Sequence, residues 1–298
     1  MSLGPWSIAM AFVQLVAFFW YLAAVQKLRE QKGRRWPWQR TLSFAGGLLA
    51  MAAAWESSVA AYAGATFIDH VVQHVVLMLV APILLCVGAP VTLAMQTLAG
   101  RQKARLLRFY RARWWRGVAH PIPANIGNYG LMYWFFLGGG IVIGMRPGNQ
   151  WLMDGVNVGF LLFGSLVWWP IFSRDWIGRK RFAYPVRLAL AVIGMPFDSF
   201  LAVALLEGAA THSVDPGVYS VANTHAGASV FWVLAGLIST ASSIGVAAQW
   251  ARKEARSDRR IAAALDERGV VTGGSPSAGW GSAVPVEADG TITVPWAR

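Results

Sequence analysis

Long apolar segments alternate with short polar connections along most of the chain, and this pattern predicts membrane-spanning helices. A helix needs about 20 apolar residues to cross the hydrocarbon core of a bilayer. Such segments occupy residues 5–25, 41–63, 71–98, 122–145, 151–172, 186–206 and 226–249. The sequence therefore predicts an all-α fold, a bundle of seven transmembrane helices.

Two of these segments differ from a simple straight span. The third and fourth are long, and prolines lie in or beside them at Pro82, Pro90, Pro121 and Pro123. Proline interrupts helical hydrogen bonding, so we expect these two segments to be tilted or kinked.

The first segment has no positively charged leader and is too long for a signal-peptide core. We therefore expect it to be a span that is retained.

The composition of the chain changes after residue 250. We predict a transmembrane domain over residues 1–250 and a cytoplasmic tail over residues 251–298. Residues 252–268 are charged and amphipathic and are expected to be helical. Residues 272–298 are rich in Gly, Ser, Pro and Val, a composition typical of disordered segments.

Composition excludes the main soluble classes. Of the 298 residues, 56% are hydrophobic and only 13% are charged, and the mean hydropathy is +0.45. An ordinary soluble domain has about 25% charged residues. Disorder of the whole chain is excluded by the same figures. Cys86 is the only cysteine, so the chain cannot form an intramolecular disulfide.

The net charge of +12 follows the predicted topology. Of the 26 Lys and Arg residues, 23 lie in the connections after the first, third, fifth and seventh segments. The other three connections contain only Arg146. Basic connections face the cytoplasm, so the N-terminus is predicted to lie outside and the C-terminus inside. Anionic lipid headgroups are then sufficient partners for the basic residues, and no nucleic-acid partner is expected.

The sharpest polar pattern lies in the third segment. His70, His74 and Met78 are spaced four residues apart, which puts them on one face of a helix. Two imidazoles and a thioether suit copper. Haem is an alternative, with His225 as a second axial ligand. Interhelical hydrogen bonds for the histidines and core packing for Met78 are the structural alternatives.

Other ionisable residues in the spans are also candidates, because buried charge in a membrane is costly. Asp198, near the middle of the sixth segment, is a candidate metal ligand, an acceptor that orients a histidine, or an interhelical hydrogen-bonding group. Residues expected to surround the metal site through hydrogen bonds are Glu56, Asp69, Asp154 and Asn157. His212 and Asp215 are expected to be solvated, and Cys86 to lie in the core. No nucleophile elbow, phosphate loop, dinucleotide fingerprint or Cys-x-x-Cys motif is present.

The run HVVQHVVLMLVAPILLCVGAP (residues 70–90) resembles the signature of the CtaG-type cytochrome c oxidase assembly factors, the multispan caa3-type group. Residues 161–172, 184–206 and 224–236 are similar to the same family, in the same order. The resemblance implies a seven-helix protein of the bacterial plasma membrane that assists assembly of a haem–copper oxidase. It also implies binding or delivery of copper on the outer side, to an oxidase subunit or another copper chaperone.

The resemblance carries over to some positions and not to others. His70 and His74 match the paired histidines of the family, and Met78 is in register. Asn157 and Gly159 stand where relatives have a His-x-His stretch. Asp198 stands where many relatives have histidine, and residues 223–225 (Asn-Thr-His) stand where relatives have Asp-Gln. The chain is therefore interpreted as a divergent member.

The predicted metal site is His70 and His74, completed by His225, Met78 or Asp198. His225 is the better substitute for the altered histidines, because imidazole suits copper better than carboxylate. Two other functions are kept open. One is a haem- or metal-dependent membrane redox enzyme that uses His225 as a ligand. The other is a transporter that moves metal past Cys86.

The charge alternation makes the topology testable. A reporter that is active only in the cytoplasm should be active when fused after Gln249 and silent when placed at Gly148. Activity at Gly148 would reverse the orientation and all depths assigned from it. Reporter activity normalised to the amount of fusion protein is the measurement.

Overall fold

The structure is a computed structural model that describes residues 5–56, 66–146, 148–173, 175, 181–210 and 219–267. Every regular element in these ranges is helical. The helices are α1 (Pro5–Lys32), α2 (Trp38–Glu56), α3 (Phe67–Val75), a π-helical turn (Val76–Val80), α4 (Ala81–Gly88), α5 (Pro90–Thr97), α6 (Gly100–Arg111), α7 (Arg113–Val118), α8 (Pro121–Phe136), α9 (Gly140–Gly144), α10 (Gln150–Phe172), α11 (Tyr184–Val192), α12 (Gly194–Ala210) and α13 (Val221–Glu267). The chain divides into two units, residues 1–246 and 247–298. The predicted disordered stretch 272–298 lies outside the described residues.

Five helical segments are long and apolar enough to cross a membrane. They are Ile8–Lys32, Phe67–Thr97, Gln150–Phe172, Tyr184–Gly208 and Val221–Ala264. They coincide with the first, third, fifth, sixth and seventh predicted spans. The all-helical class and the apolar spans therefore agree with the sequence, while the count of seven and the orientation stay predictions.

The second and fourth predicted spans have a different form. Helix α2 begins with Trp38 and the polar residues Gln39 and Arg40. The predicted outer end of this span, residues 57–63, lies outside the described residues. The fourth predicted span is not one helix. It is divided into α8 and α9 by a turn in which Gly139 has a φ of 80°, a conformation that glycine adopts without strain. The fourth predicted segment is therefore interrupted, and the interruption lies at Gly139 and not at its prolines.

The third segment is kinked, as its prolines predict. Pro82 has no N–H to donate to the carbonyl four residues earlier, which belongs to Met78, and its ring would clash with that carbonyl. A π-helical turn widens the helix immediately before it, at Val76–Val80. A second break follows at Ala89, whose φ of 52° ends α4 before Pro90 begins α5.

The backbone groups exposed by the second break are satisfied by distant side chains. The Tyr21 hydroxyl donates to the Gly88 carbonyl at 2.8 Å. The Asp175 carboxylate accepts from the backbone N–H groups of Val91 at 3.1 Å and Thr92 at 2.7 Å. A carboxylate at this position caps α5 and compensates the positive end of its dipole. The kink is thus built into the packing of two other parts of the chain.

Small residues allow the neighbouring helices to approach the third segment closely. Gly47 of α2 faces Leu85, and an added Cβ would lie 2.9 Å from its side chain. Gly88 packs in the same way against Phe44. Gly164 of α10 lies against the backbone carbonyl of Met78. Such contacts are typical of helix packing in membranes, where close van der Waals contact replaces the hydrophobic effect.

Two glycines of α10 provide a matched test of this packing. Gly164→Ala should lower the melting temperature, because its Cβ would overlap the Met78 carbonyl and force the helices apart, at a cost of about 1–3 kcal/mol. Gly155→Ala on the same helix meets no atom within 4 Å and should leave the melting temperature unchanged. Thermal unfolding of the detergent-solubilised protein is the measurement, and equal melting temperatures for the two variants would contradict the packing.

Candidate metal site

The two histidines of α3 lie side by side in the interior. The ring centroids of His70 and His74 are 4.7 Å apart, and the side chains are only 1% and 3% exposed. The four-residue spacing therefore places the two histidines on the same face of α3, as the sequence predicts. At the start of α3, the Thr66 hydroxyl accepts from the Asp69 backbone N–H at 3.1 Å and donates to the Asp69 carboxylate at 2.6 Å.

A second contact fixes the beginning of α3. The side-chain oxygen of Asn223 in α13 accepts from the Phe67 backbone N–H at 3.1 Å. Phe67 also fills the space beside Gly227, one turn further along α13. The helix that carries the histidine pair is therefore held at its first turn by both its own cap and α13.

His74 lies among aromatic side chains. Its ring centroid is 4.8 Å from that of Phe135, 5.7 Å from that of Phe136 and 4.8 Å from that of Phe160. Both ring nitrogens are buried without a hydrogen-bond partner among the described residues. Leaving a buried polar group unpaired costs about 1–3 kcal/mol. The His74 ring is therefore a candidate ligand, since no hydrogen bond among the described residues uses either of its nitrogens.

His70 belongs to a chain of polar contacts. Its Nδ1 lies 3.0 Å from the hydroxyl oxygen of Tyr219, and that hydroxyl donates to the sulfur of Met145 at 3.6 Å. Burial, and then the nearby Asp69 carboxylate, raise the pKa of Tyr219, so the hydroxyl keeps its proton at neutral pH. The hydroxyl has one hydrogen, so when it donates to the sulfur it accepts from Nδ1–H of His70, and when it donates to Nδ1 the ring proton of His70 is on Nε2.

Met78 and Asp198 belong to a different place in the protein. Both line a small cavity of about 10 Å³, together with Asn128, Tyr129 and Ser239. This volume is sufficient for about one water molecule. The Asp198 Oδ1 atom is buried there without a hydrogen-bond partner among the described residues. Met78 lies in the π-helical turn Val76–Val80, which directly follows the helix that carries the two histidines.

The remaining predicted residues are distributed around the pair. His225 has its Nε2 2.9 Å from the Leu206 carbonyl oxygen, a contact between α13 and α12. Asp154 and Asn157 are buried in α10, one to two turns before Phe160. The side chain of Glu56 lies outside the described residues, as do His212 and Asp215. Among the side chains that the structure describes, no three His, Cys, Asp or Glu groups are close enough to hold one ion.

Tyr219, Met145 and the three phenylalanines are the site residues that sequence reasoning missed. Met145 follows the short helix α9, and Tyr219 precedes α13, so neither lies in an ionisable pattern within a span. The one available signal was the position of both residues at connections on the same side of the predicted bundle as His70. Their contact with the pair depends on the tertiary structure.

Taken together, the described residues form an all-helical protein with five segments long and apolar enough to cross a membrane and with a buried pair of imidazoles. The sequence profile of the family described as cytochrome c oxidase caa3 assembly factor matches residues 19–253. The chain therefore belongs to this family, and the resemblance drawn from residues 70–90 is confirmed.

Three mycobacterial relatives show how similar the chain is to individual proteins and how much of their length it covers. An uncharacterized protein of Mycobacterium bovis and one of Mycobacterium tuberculosis are each 29% identical over 267 residues, covering 83% of this chain and 38% of the relative. An uncharacterized protein of Mycobacterium leprae is 27% identical over 255 residues, covering 79% of this chain and 38% of the relative. The chain thus spans about two fifths of the length of these relatives. No solved structure matches it significantly.

The unequal environments of the two histidines lead to opposite stability effects. His74→Leu removes two unpaired buried nitrogens and should leave the melting temperature of the metal-free protein unchanged or raise it. His70→Leu removes the contact with Tyr219 and should lower stability by about 0.5–1.5 kcal/mol. Thermal unfolding after chelator treatment is the measurement. A clear loss of stability in His74→Leu would mean that the ring is there for packing.

Proposed function

We propose that this protein is a non-enzymatic assembly factor for cytochrome c oxidase that binds copper through His70 and His74. It delivers the ion to an oxidase subunit or to another copper chaperone. Membership of the assembly-factor family supports the general function. The observation that carries the copper proposal is the His74 ring, which is buried with both nitrogens lacking a hydrogen-bond partner among the described residues.

The chemistry of the pair favours a transition metal. Imidazole is a good ligand for copper, and two rings 4.7 Å apart can direct one nitrogen each at a common ion. The ring of His74 is enclosed by Phe135, Phe136 and Phe160, which keep water away from a bound ion. A site with few strong ligands also suits a protein that must release its ion to a partner.

The membrane arrangement follows from the distribution of charge. The connection formed by α6 and α7 exposes seven basic side chains, at positions 101, 103, 105, 108, 111, 113 and 116, and contains no acid. Phe109, Tyr110, Trp114 and Trp115 form an aromatic cluster beside them. This combination suits the cytoplasmic surface of a membrane with anionic lipids. The histidine pair is then on the outer side of the bacterial plasma membrane.

No observation on the described residues favours the two other functions. A six-coordinate haem would use His225 as the second ligand, but its Nε2 lies against the Leu206 carbonyl. A transport path past Cys86 would need polar groups along it, whereas Cys86 is buried and its sulfur lies 3.8 Å from the Ser165 carbonyl. The buried histidine pair and the family membership support copper delivery instead.

The test combines metal content with oxidase assembly. The double substitution His70→Ala and His74→Ala should abolish copper retention by the purified protein. In a strain with no other copy, it should also lower membrane cytochrome c oxidase activity. Insertion should persist, because these changes do not reduce the apolar character of the span. Copper by elemental analysis and oxidase activity per amount of membrane protein are the measurements.

His120→Ala is the matched control, because His120 lies before α8 in the basic connection and accepts there from the Ile122 N–H. It should retain copper and support oxidase activity. Full copper stoichiometry in the double variant would remove the pair from the site. Copper loss with normal oxidase activity would separate binding from assembly and contradict delivery.

A further inference from the structure

A thioether lies at the accessible edge of the histidine pair, and it is not the methionine that the sequence favours. The Met145 sulfur is 3.6 Å from the Tyr219 hydroxyl, which is 3.0 Å from His70 Nδ1. These three groups come from the end of α9, from the residue two positions before α13 and from α3. The Met145 sulfur and the His70 ring thus both contact the Tyr219 hydroxyl.

The burial of these groups changes along the chain of contacts. His70 and His74 are almost completely buried, whereas Met145 and Tyr219 are half-buried and the next residue after Met145, Arg146, is exposed. An ion that comes from the water phase along these contacts therefore meets the thioether before it meets either imidazole. Thioether sulfur is a soft ligand that selects Cu(I) over harder ions.

A second sulfur lies beside the same turn. The missing side chain of Gly144 leaves room for the sulfur of Met153, which occupies the space that a Cβ of residue 144 would fill. By contrast, Met78 is 1% exposed and lines the cavity that contains Asp198. The methionine sulfur near the pair is therefore found at the α9 turn.

We propose that Met145 is a Cu(I) ligand that completes the site begun by His70 and His74. In the metal-free protein the Tyr219 hydroxyl occupies the position between the sulfur and His70. A bound ion would replace this hydroxyl contact, and the Met145 sulfur and the His70 Nδ1 would hold it, with the ring proton of His70 on Nε2. The inference rests on the proposed copper function, but it assigns a ligand and an oxidation state that the histidine pair alone does not specify.

The decisive comparison is Met145→Leu against Met78→Leu, two substitutions of similar shape that each remove one sulfur. In the full-length detergent-solubilised protein, Met145→Leu should lower the affinity for Cu(I) by at least the roughly 10- to 100-fold typical for groups that support a metal ligand. Met78→Leu should leave it unchanged. Competition with a Cu(I) chelator measures the affinity, and X-ray absorption should detect a copper–sulfur distance in the wild type and in Met78→Leu only.

Binding of Zn²⁺ separates a ligand from a packing residue. Imidazole binds both ions and thioether favours copper, so Met145→Leu should leave the Zn²⁺ affinity unchanged. Equal losses for both ions would show that Met145 only supports the fold and would overturn the proposal. Wild-type Cu(I) affinity in Met145→Leu, or loss in Met78→Leu instead, would also overturn it.

The histidine variants test the proposed copper function, and the methionine variants test the Met145 assignment. If the wild type binds copper and the double histidine variant does not, copper binding stands even when Met145→Leu has no effect. If the wild type binds no copper, both the function and the Met145 assignment are wrong.

Discussion

The need to satisfy backbone polar groups in an apolar interior is the constraint on which the rest of this structure depends. In hydrocarbon no water replaces a missing hydrogen bond, so a broken helix is tolerated only where protein groups compensate. The third segment is broken twice, at the π-helical turn before Pro82 and at Ala89. Tyr21 and Asp175 provide the compensation at the second break, and Gly164 gives the Met78 carbonyl room at the first. The packing of α1, α2 and α10 follows from these contacts.

Against this background, the unsatisfied atoms are informative. The protein compensates the second break with hydrogen bonds, yet both nitrogens of His74 and one oxygen of Asp198 are among the buried side-chain atoms without a hydrogen-bond partner in the described residues. These atoms lie in two separate environments. The first is aromatic and lies next to His70 and the Met145–Tyr219 contact. The second is a cavity the size of one water molecule, lined by Asn128, Tyr129 and Ser239.

The departures from the family pattern can be understood in the same terms. At Gly159, where the family resemblance implies a histidine, an added Cβ would lie only 2.7 Å from the Leu131 side chain. A larger side chain at this position would require the Leu131 side chain to move. Asp198, which stands at another such position, shares its cavity with Met78 instead of the histidine pair. The contacts of this divergent member therefore favour a site centred on α3.

The sequence by itself determined the all-helical class, the apolar spans, the kink at the prolines and the pairing of His70 with His74, because each depends on local spacing or composition. It also identified the family, through residues 70–90. It failed where the outcome depends on distant contacts. Gly139 divides a segment that reads as one span, and Met78 lines the cavity that contains Asp198. Only the tertiary structure brought Met145 and Tyr219 to His70. Met145 is 74 positions from Tyr219 in the sequence, and His70 is 149 positions from it. Contacts over such separations arise from helix packing, which no local repeat in the sequence predicts.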